Sequence, residues 1–232
     1  MQKSKSIGES TDQVVTFTLD LVNAKGKKRT QKSEWHYHTS ADDVRSSLFR
    51  FLAPADVKGT GFLSVEYNNR DDDRWLYLPV LGRSRRISSN EKSDRFMGSD
   101  FTYEDLERVD LVNFEYELLK EDAVEGETCY VVKSVPNNPK TAKESGYGHR
   151  IYYVSKSNSQ FRKIEYYNKK NQLSKFVFGR DIRPISDGSV RAYYLEMTDV
   201  KSKHKSIINF ANFQVNTGVS EEQFTVRNLE KS

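Results

Sequence analysis

The chain has 232 residues, and 37 Lys plus Arg against 33 Asp plus Glu leave a formal net charge of +4, too small an excess to mark a nucleic-acid protein. Hydrophobic residues are only 36%, yet 13 Phe, 13 Tyr and 2 Trp concentrate the apolar area in large rings, so the chain can build a core, but a ring-rich one. A single cysteine, Cys129, excludes an internal disulfide and a cysteine-rich metal site.

Met1 to Ser6 lack the apolar stretch of a signal peptide, so an exported form would carry no leader here, and no later run approaches the ~20 apolar residues of a membrane-crossing helix. From 14 to 22, Val15, Phe17, Leu19 and Leu21 alternate with Thr16, Thr18 and Asp20, the pattern of a half-buried antiparallel strand. Ala24-Lys25-Gly26-Lys27 reads as a hairpin turn into 27–38, where Trp35 and Tyr37 alternate with Glu34, His36 and His38. Similar segments at 44–53, 60–68, 73–79, 113–120, 128–135, 149–155, 160–168, 172–178, 190–199 and 205–215 bring the expectation to about twelve strands. The turns at 68–73, 157–159, 168–171 and 186–189 are short and rich in Asn, Asp, Ser and Gly, which implies antiparallel neighbours. Between 79 and 113 the basic run Arg83 to Arg86 reads as a charged turn. It leads to a short helix at Tyr103 to Glu107, capped by Thr102 with Asp105 in the capping-box position. The stretch from Val135 to Gly148 holds prolines and glycines that argue against regular structure, and it is a candidate mobile flap. Ser220 ahead of Glu221 and Glu222 marks a last helical turn. No repeat or linker divides the chain, so residues 1–232 are expected to form a single, mainly β domain.

A sheet of that many strands does not stay flat, and its twist should curl it toward a barrel or half-barrel. The candidate inward residues, and hence the candidate lining of an apolar cavity, are Phe17, Leu19, Trp35, Tyr37, Phe49, Phe51, Leu63, Val65, Trp75, Tyr77, Tyr130 and Phe176. The plainer alternative is that these rings are ordinary core. Each methylene moved out of water gains about 0.8 kcal/mol, so one long acyl chain gains on the order of 10 kcal/mol before ordering costs. Arg83, Arg85 and Arg86 can hold a headgroup at the mouth or meet an anionic membrane; alternatively they pair with Asp94, Asp100, Glu104 and Asp105.

Covalent chemistry finds no footing. His36 and His38 have zinc-like spacing beside Glu34, but the alternation turns them outward, away from Trp35 and Tyr37, so no metal is expected. Asp71-Asp72-Asp73 lacks the glycine and distal glutamate of a calcium loop. Gly59-Thr60-Gly61 is not a nucleotide fingerprint, and Gly98-Ser99-Asp100 is not a nucleophile elbow. No cofactor, no catalytic residue and no nucleic-acid partner is expected.

Four segments carry a family resemblance: Leu52 to Leu63, Trp75-Leu76-Tyr77-Leu78-Pro79, Arg85-Arg86-Ile87, and Phe96-Met97-Gly98-Ser99-Asp100-Phe101-Thr102-Tyr103-Glu104-Asp105. In their order and spacing they resemble the outer-membrane lipoprotein-sorting proteins related to LolA and LolB, and the likeness runs from the first strand to Leu229. It implies an incomplete, half-open antiparallel barrel with short helices as lid or plug. The implied function is a periplasmic, non-enzymatic carrier or chaperone that takes acyl chains of a lipoprotein or lipid and touches the membrane transiently. The other expected role is an envelope interaction protein that docks an exporter or an outer-membrane assembly partner.

Overall fold

The structure, a computed structural model, describes residues 11–231, so the reading of Met1 to Ser6 lies outside it. One antiparallel sheet contains all thirteen strands. They are β1 (Asp12–Val22), β2 (Lys28–Thr39), β3 (Arg45–Ala53), β4 (Gly61–Glu66), β5 (Asp73–Leu78), β6 (Arg83–Arg86), β7 (Phe114–Val124), β8 (Glu127–Pro136), β9 (His149–Ser155), β10 (Phe161–Tyr167), β11 (Leu173–Pro184), β12 (Val190–Asp199) and β13 (Lys205–Val215). The order is β6-β5-β4-β3-β2-β1-β13-β12-β11-β10-β9-β8-β7, so the sheet does not close, and β6 and β7 are its edges. This is an incomplete antiparallel barrel. The expected strands are all present, with β7 and β11 running further, to Val124 and Pro184. The addition is β6, because Arg83 to Arg86 pairs with β5 and is no mere charged turn.

Among the described residues helix is limited to α1 (Pro139–Glu144), α2 (Val226–Leu229) and short 3-10 turns such as Tyr103–Leu106 and Glu221–Gln223. The capping signals act as expected: Asp105 accepts from the Thr102 amide at 2.8 Å, and Ser220 Oγ accepts from the Glu222 amide at 3.3 Å. The expected flap is a correction. Asn138 Oδ1 caps α1 by accepting from the Thr141 amide at 2.9 Å, and Pro139 occupies the first turn, where its missing amide costs nothing. Beyond α1 the chain is held by close approach. A Cβ on Gly146 would lie 2.8 Å from Ser93 Cβ, and one on Gly148 would lie 2.8 Å from the Asn168 carbonyl. These glycines permit close packing.

Residues group into two compact units. The first comprises 20–29 and 89–208, and the second 11–19, 30–88 and 209–231. β1, β2 and β13 contribute residues to both.

Candidate functional site

In the second unit, cross-strand register sorts the expected cavity residues, because side chains paired across an antiparallel sheet share a face. Phe49 pairs with Trp35 on β2 and Phe62 on β4, Phe62 pairs with Leu76, and Tyr37 pairs with Ser47. Phe17 joins this face through its ring contact with Phe49 at 5.3 Å, and Leu19 follows it two residues on. Leu48 instead pairs with His36 and Leu63, Leu63 with Trp75, Val65 with Asp73, and Gly61 with Tyr77. The single wall expected from the sequence therefore divides in two. Trp35, Tyr37, Phe49 and Phe51 lie on one face with Phe17 and Leu19; Leu63, Val65, Trp75 and Tyr77 lie on the other. The reason is β4, where Gly61 to Val65 are buried throughout, so strict alternation gives no hint of which side is which.

The first of these faces is a phenylalanine cluster. Phe17 lies 5.3 Å from Phe49 and 5.6 Å from Phe210, Phe49 lies 4.8 Å from Phe51, and Phe210 lies 5.2 Å from Phe213, mostly edge-on or tilted. Beside it runs a polar row, Tyr37–Ser47–Ser64–Arg74, one residue per strand. The Arg74 side chain is buried and donates to Asp72 Oδ2 at 2.7 Å. Ser64 Oγ and Ser33 Oγ, the latter on the residue paired with Phe51, are buried with no hydrogen-bond partner.

The opposite face is covered by the chain's own C-terminal segment. Val219, Phe224 and Leu229 form one core cluster with Leu48, Leu63, Val65 and Tyr77, and Trp75 and Val226 pack against it. Leu229 sits so close that a Cβ on Gly61 would lie 2.6 Å from its Cδ1. Polar contacts lock the segment. Arg50 donates to the Leu229 carbonyl at 3.2 Å and to that of Asn228. Glu230 accepts from the Ser84 amide at 2.9 Å. Asp12 accepts from the Thr217 amide at 2.7 Å and the Gly218 amide at 3.1 Å. Here Leu63, Val65, Trp75 and Tyr77 behave as core, the alternative that the sequence left open. His36 and His38 share this face, opposite Trp35 and Tyr37 as expected, but they are part-buried instead of facing out freely: His36 meets Glu34, and His38 lies 6.0 Å from the Phe224 ring. Among the described residues no three His, Cys, Asp or Glu side chains come together as a metal site.

The three candidate headgroup arginines also divide. Arg83 pairs with Leu78 and Arg85 with Leu76, on the phenylalanine face, while Arg86 pairs with Trp75 on the other. Arg86 donates to Asp73, whose second oxygen accepts from Arg70 at 2.7 Å, so Arg86 is partly scaffold. Sequence reasoning missed the residues just before them. In the 3-10 turn Pro79–Leu81, Val80 is 89% exposed and Leu81 56%, an apolar tip between two strands and next to cations. Two aliphatic residues set between a proline and Gly82, in a turn that should be polar, were the available signal.

In the first unit a second polar row crosses six strands, Tyr116–Ser134–Arg150–Tyr166–Lys175–Asp199. The Gly-Ser-Asp to Glu-Asp segment is fastened to it. Glu104 pairs with Arg150, and Asp105 pairs with Lys175 at 2.5 Å, all four side chains at least nine-tenths buried. Asp100 accepts from Ser206 Oγ at 2.8 Å, bonds His204 Nδ1 at 2.6 Å, and lies 3.4 Å from Arg95. The cations for Asp100, Glu104 and Asp105 are thus Arg95, Arg150 and Lys175. Burial pushes the Tyr147 hydroxyl well above its ordinary pKa, reinforced by Asp105, so it stays protonated and donates to the Asp105 carboxylate at 3.0 Å. For Arg150, burial opposes charge, but Tyr152 and Glu104 outweigh it and raise its pKa. Tyr130 shares a face with Val132 and Val154 near the β7 edge and is 40% exposed. Phe176 lies on the opposite face, paired with Glu165 and Thr198.

Among the described residues no helix is long and apolar enough to cross a membrane. A family model described as an uncharacterized protein matches residues 43–231. Comparison with curated proteins finds no match. Among solved structures, the chain is similar to a domain from Vibrio parahaemolyticus named for outer membrane lipoprotein sorting, with 30% identity, 99% of this chain and 96% of that one covered, and a TM-score of 0.91. It is similar to a DUF1329 family protein from Desulfovibrio piger, with 28% identity over 98% and 95% of the two chains and a TM-score of 0.91. A LolA superfamily protein from Nitrosomonas europaea shares the fold, with 18% identity over 97% and 94% and a TM-score of 0.74. The chain belongs to the outer-membrane lipoprotein-sorting protein family, and its fold is that of the LolA superfamily.

Proposed function

We propose that this chain is a periplasmic carrier that shelters acyl chains of a lipoprotein or lipid against the phenylalanine face of its second unit. The observation that carries the reading is the cluster of Phe17, Phe49 and Phe51 on one face of a sheet that does not close, extended by ring contacts from Phe17 to Phe210 and from Phe210 to Phe213. Each edge-on ring pair that an acyl chain displaces costs about 0.5–1.5 kcal/mol, which a long chain offsets by gaining about 0.8 kcal/mol per methylene taken out of water. The unpartnered hydroxyls of Ser33 and Ser64 favour a chain with a polar end, since a buried hydroxyl without a partner costs about 1–3 kcal/mol and an ester or amide group would relieve that.

Transient membrane contact falls to Val80 and Leu81, with Arg83 supplying attraction to anionic headgroups. The sorting role in the name of the Vibrio relative agrees with a carrier of this kind. Catalysis has no part in the reading. Titration with a fluorescent fatty acid tests it: saturable uptake that falls at least tenfold in Phe51→Asp supports carriage. Uptake absent from the folded protein would leave the docking role, in which the chain binds an exporter or assembly partner and carries nothing.

A further inference from the structure

We infer that the β7 edge is a docking site for an extended, cationic and amphipathic segment of another protein, which adds to the sheet as a further strand. Among the described residues β7, of eleven residues, is an edge strand paired only with β8, and every second residue of such a strand turns its amide and carbonyl away from the sheet. The other edge is guarded differently. β6 has four residues, and the Ser84 amide is already taken by the Glu230 carboxylate at 2.9 Å.

The chemistry of β7 selects the occupant. Glu115 and Glu117 share one face and both are exposed; Lys133 of β8 stands opposite Glu117 in the register, but among the described residues neither glutamate makes a salt bridge, so their charge is left for a partner. Tyr116 and Leu118 share the other face, with Leu118 61% exposed. A strand laid alongside would match this two-residue period with Lys or Arg beside the glutamates and aliphatic residues beside Tyr116 and Leu118. The bulge between Leu118 and Lys120 interrupts the register, and beyond it Lys120 pairs with Asp122, Glu121 with Lys156, and the Ala123 amide with Asp122. The site is therefore the stretch from Phe114 to Leu118. A second copy of this chain is a poor occupant of it, because acidic residues would face acidic residues across the new pair.

The test is residue-resolved amide hydrogen exchange with an acetylated, amidated Lys-Val-Lys-Val-Lys-Val-Lys peptide, with the Glu-Val counterpart as control. The expected result is slowed exchange between Phe114 and Leu118 with the lysine peptide alone. Glu115→Lys with Glu117→Lys should weaken that peptide about tenfold or more and shift preference to the glutamate peptide. Should the double reversal misfold by circular dichroism, Glu115→Gln with Glu117→Gln carries the same comparison, with loss of the lysine preference expected. Unchanged exchange in β7 with either peptide, or a preference that survives loss of both charges, would overturn the inference.

Discussion

In the first unit the segment 99–105 is joined to the sheet by Arg150–Glu104 and Lys175–Asp105, with the Tyr147 hydroxyl added from the loop before β9, whereas the second unit is filled by phenylalanine rings on one face and an apolar C-terminal segment on the other. A buried ion pair is directional, and removing one partner strands a charge, so a hydrocarbon cannot stand in for either member alone. Ring packing tolerates exchange of one apolar group for another of similar volume. The contrast suits the first interior to scaffold and the second to exchange of apolar groups, and the proposed carrier reading puts its acyl ligand at the rings for that reason.

The largest effect should come from breaking the ionic interior. Lys175→Met leaves Asp105 buried without its cation and should cost about 3–5 kcal/mol, read as a lower urea midpoint, while fatty-acid affinity per folded molecule stays the same. An equal loss of affinity would erase the distinction between the units. Next comes the C-terminal segment. Leu229 is fully buried, and Leu229→Ala should cost about 2–5 kcal/mol; a loss well under 1 kcal/mol in urea titration would show that Leu229 packs loosely.

A smaller effect depends on pH. Burial pushes the Asp12 carboxyl up, but its hydrogen bonds from Thr217 and Gly218 outweigh that and hold its pKa below the ordinary value. Its contribution is thus present above the unfolded pKa and lost as pH falls through about 4 and below. The urea midpoints of the parent protein and Asp12→Asn should differ at pH 6, and the gap should narrow steadily as pH falls below about 4; a constant gap would contradict the assignment. The smallest change in stability belongs to Val80→Asp, within about 0.5 kcal/mol because the side chain is exposed, yet it should abolish flotation with anionic vesicles. Flotation that persists would remove Val80 from membrane contact.

Much of the fold was legible because alternation is a local signal: Val15, Phe17 and Leu19 announce β1 without knowledge of its neighbours. β6 was not, since Arg83-Ser84-Arg85-Arg86 has no apolar period and becomes a strand only by pairing with β5. Of the candidate inward residues, Phe17, Phe49 and Phe51 come into ring contact with one another. Trp75 and Tyr77 were grouped with them because alternation within a strand does not say which side of a doubly covered sheet faces which partner. That information lies in the register with Leu63 and Gly61 and in the distant Leu229, none of which a local reading reaches. The anchoring of Glu104 and Asp105 by Arg150 and Lys175 was invisible for the same reason, since the partners lie 46 and 70 residues away in sequence.

Native mass spectrometry after gentle extraction tests the central claim most directly, with the parent protein and Phe49→Asp compared side by side. The account predicts an added mass matching an acyl lipid on the parent protein and its loss from the folded variant. The bare chain mass in both, whatever lipid is supplied, would contradict it.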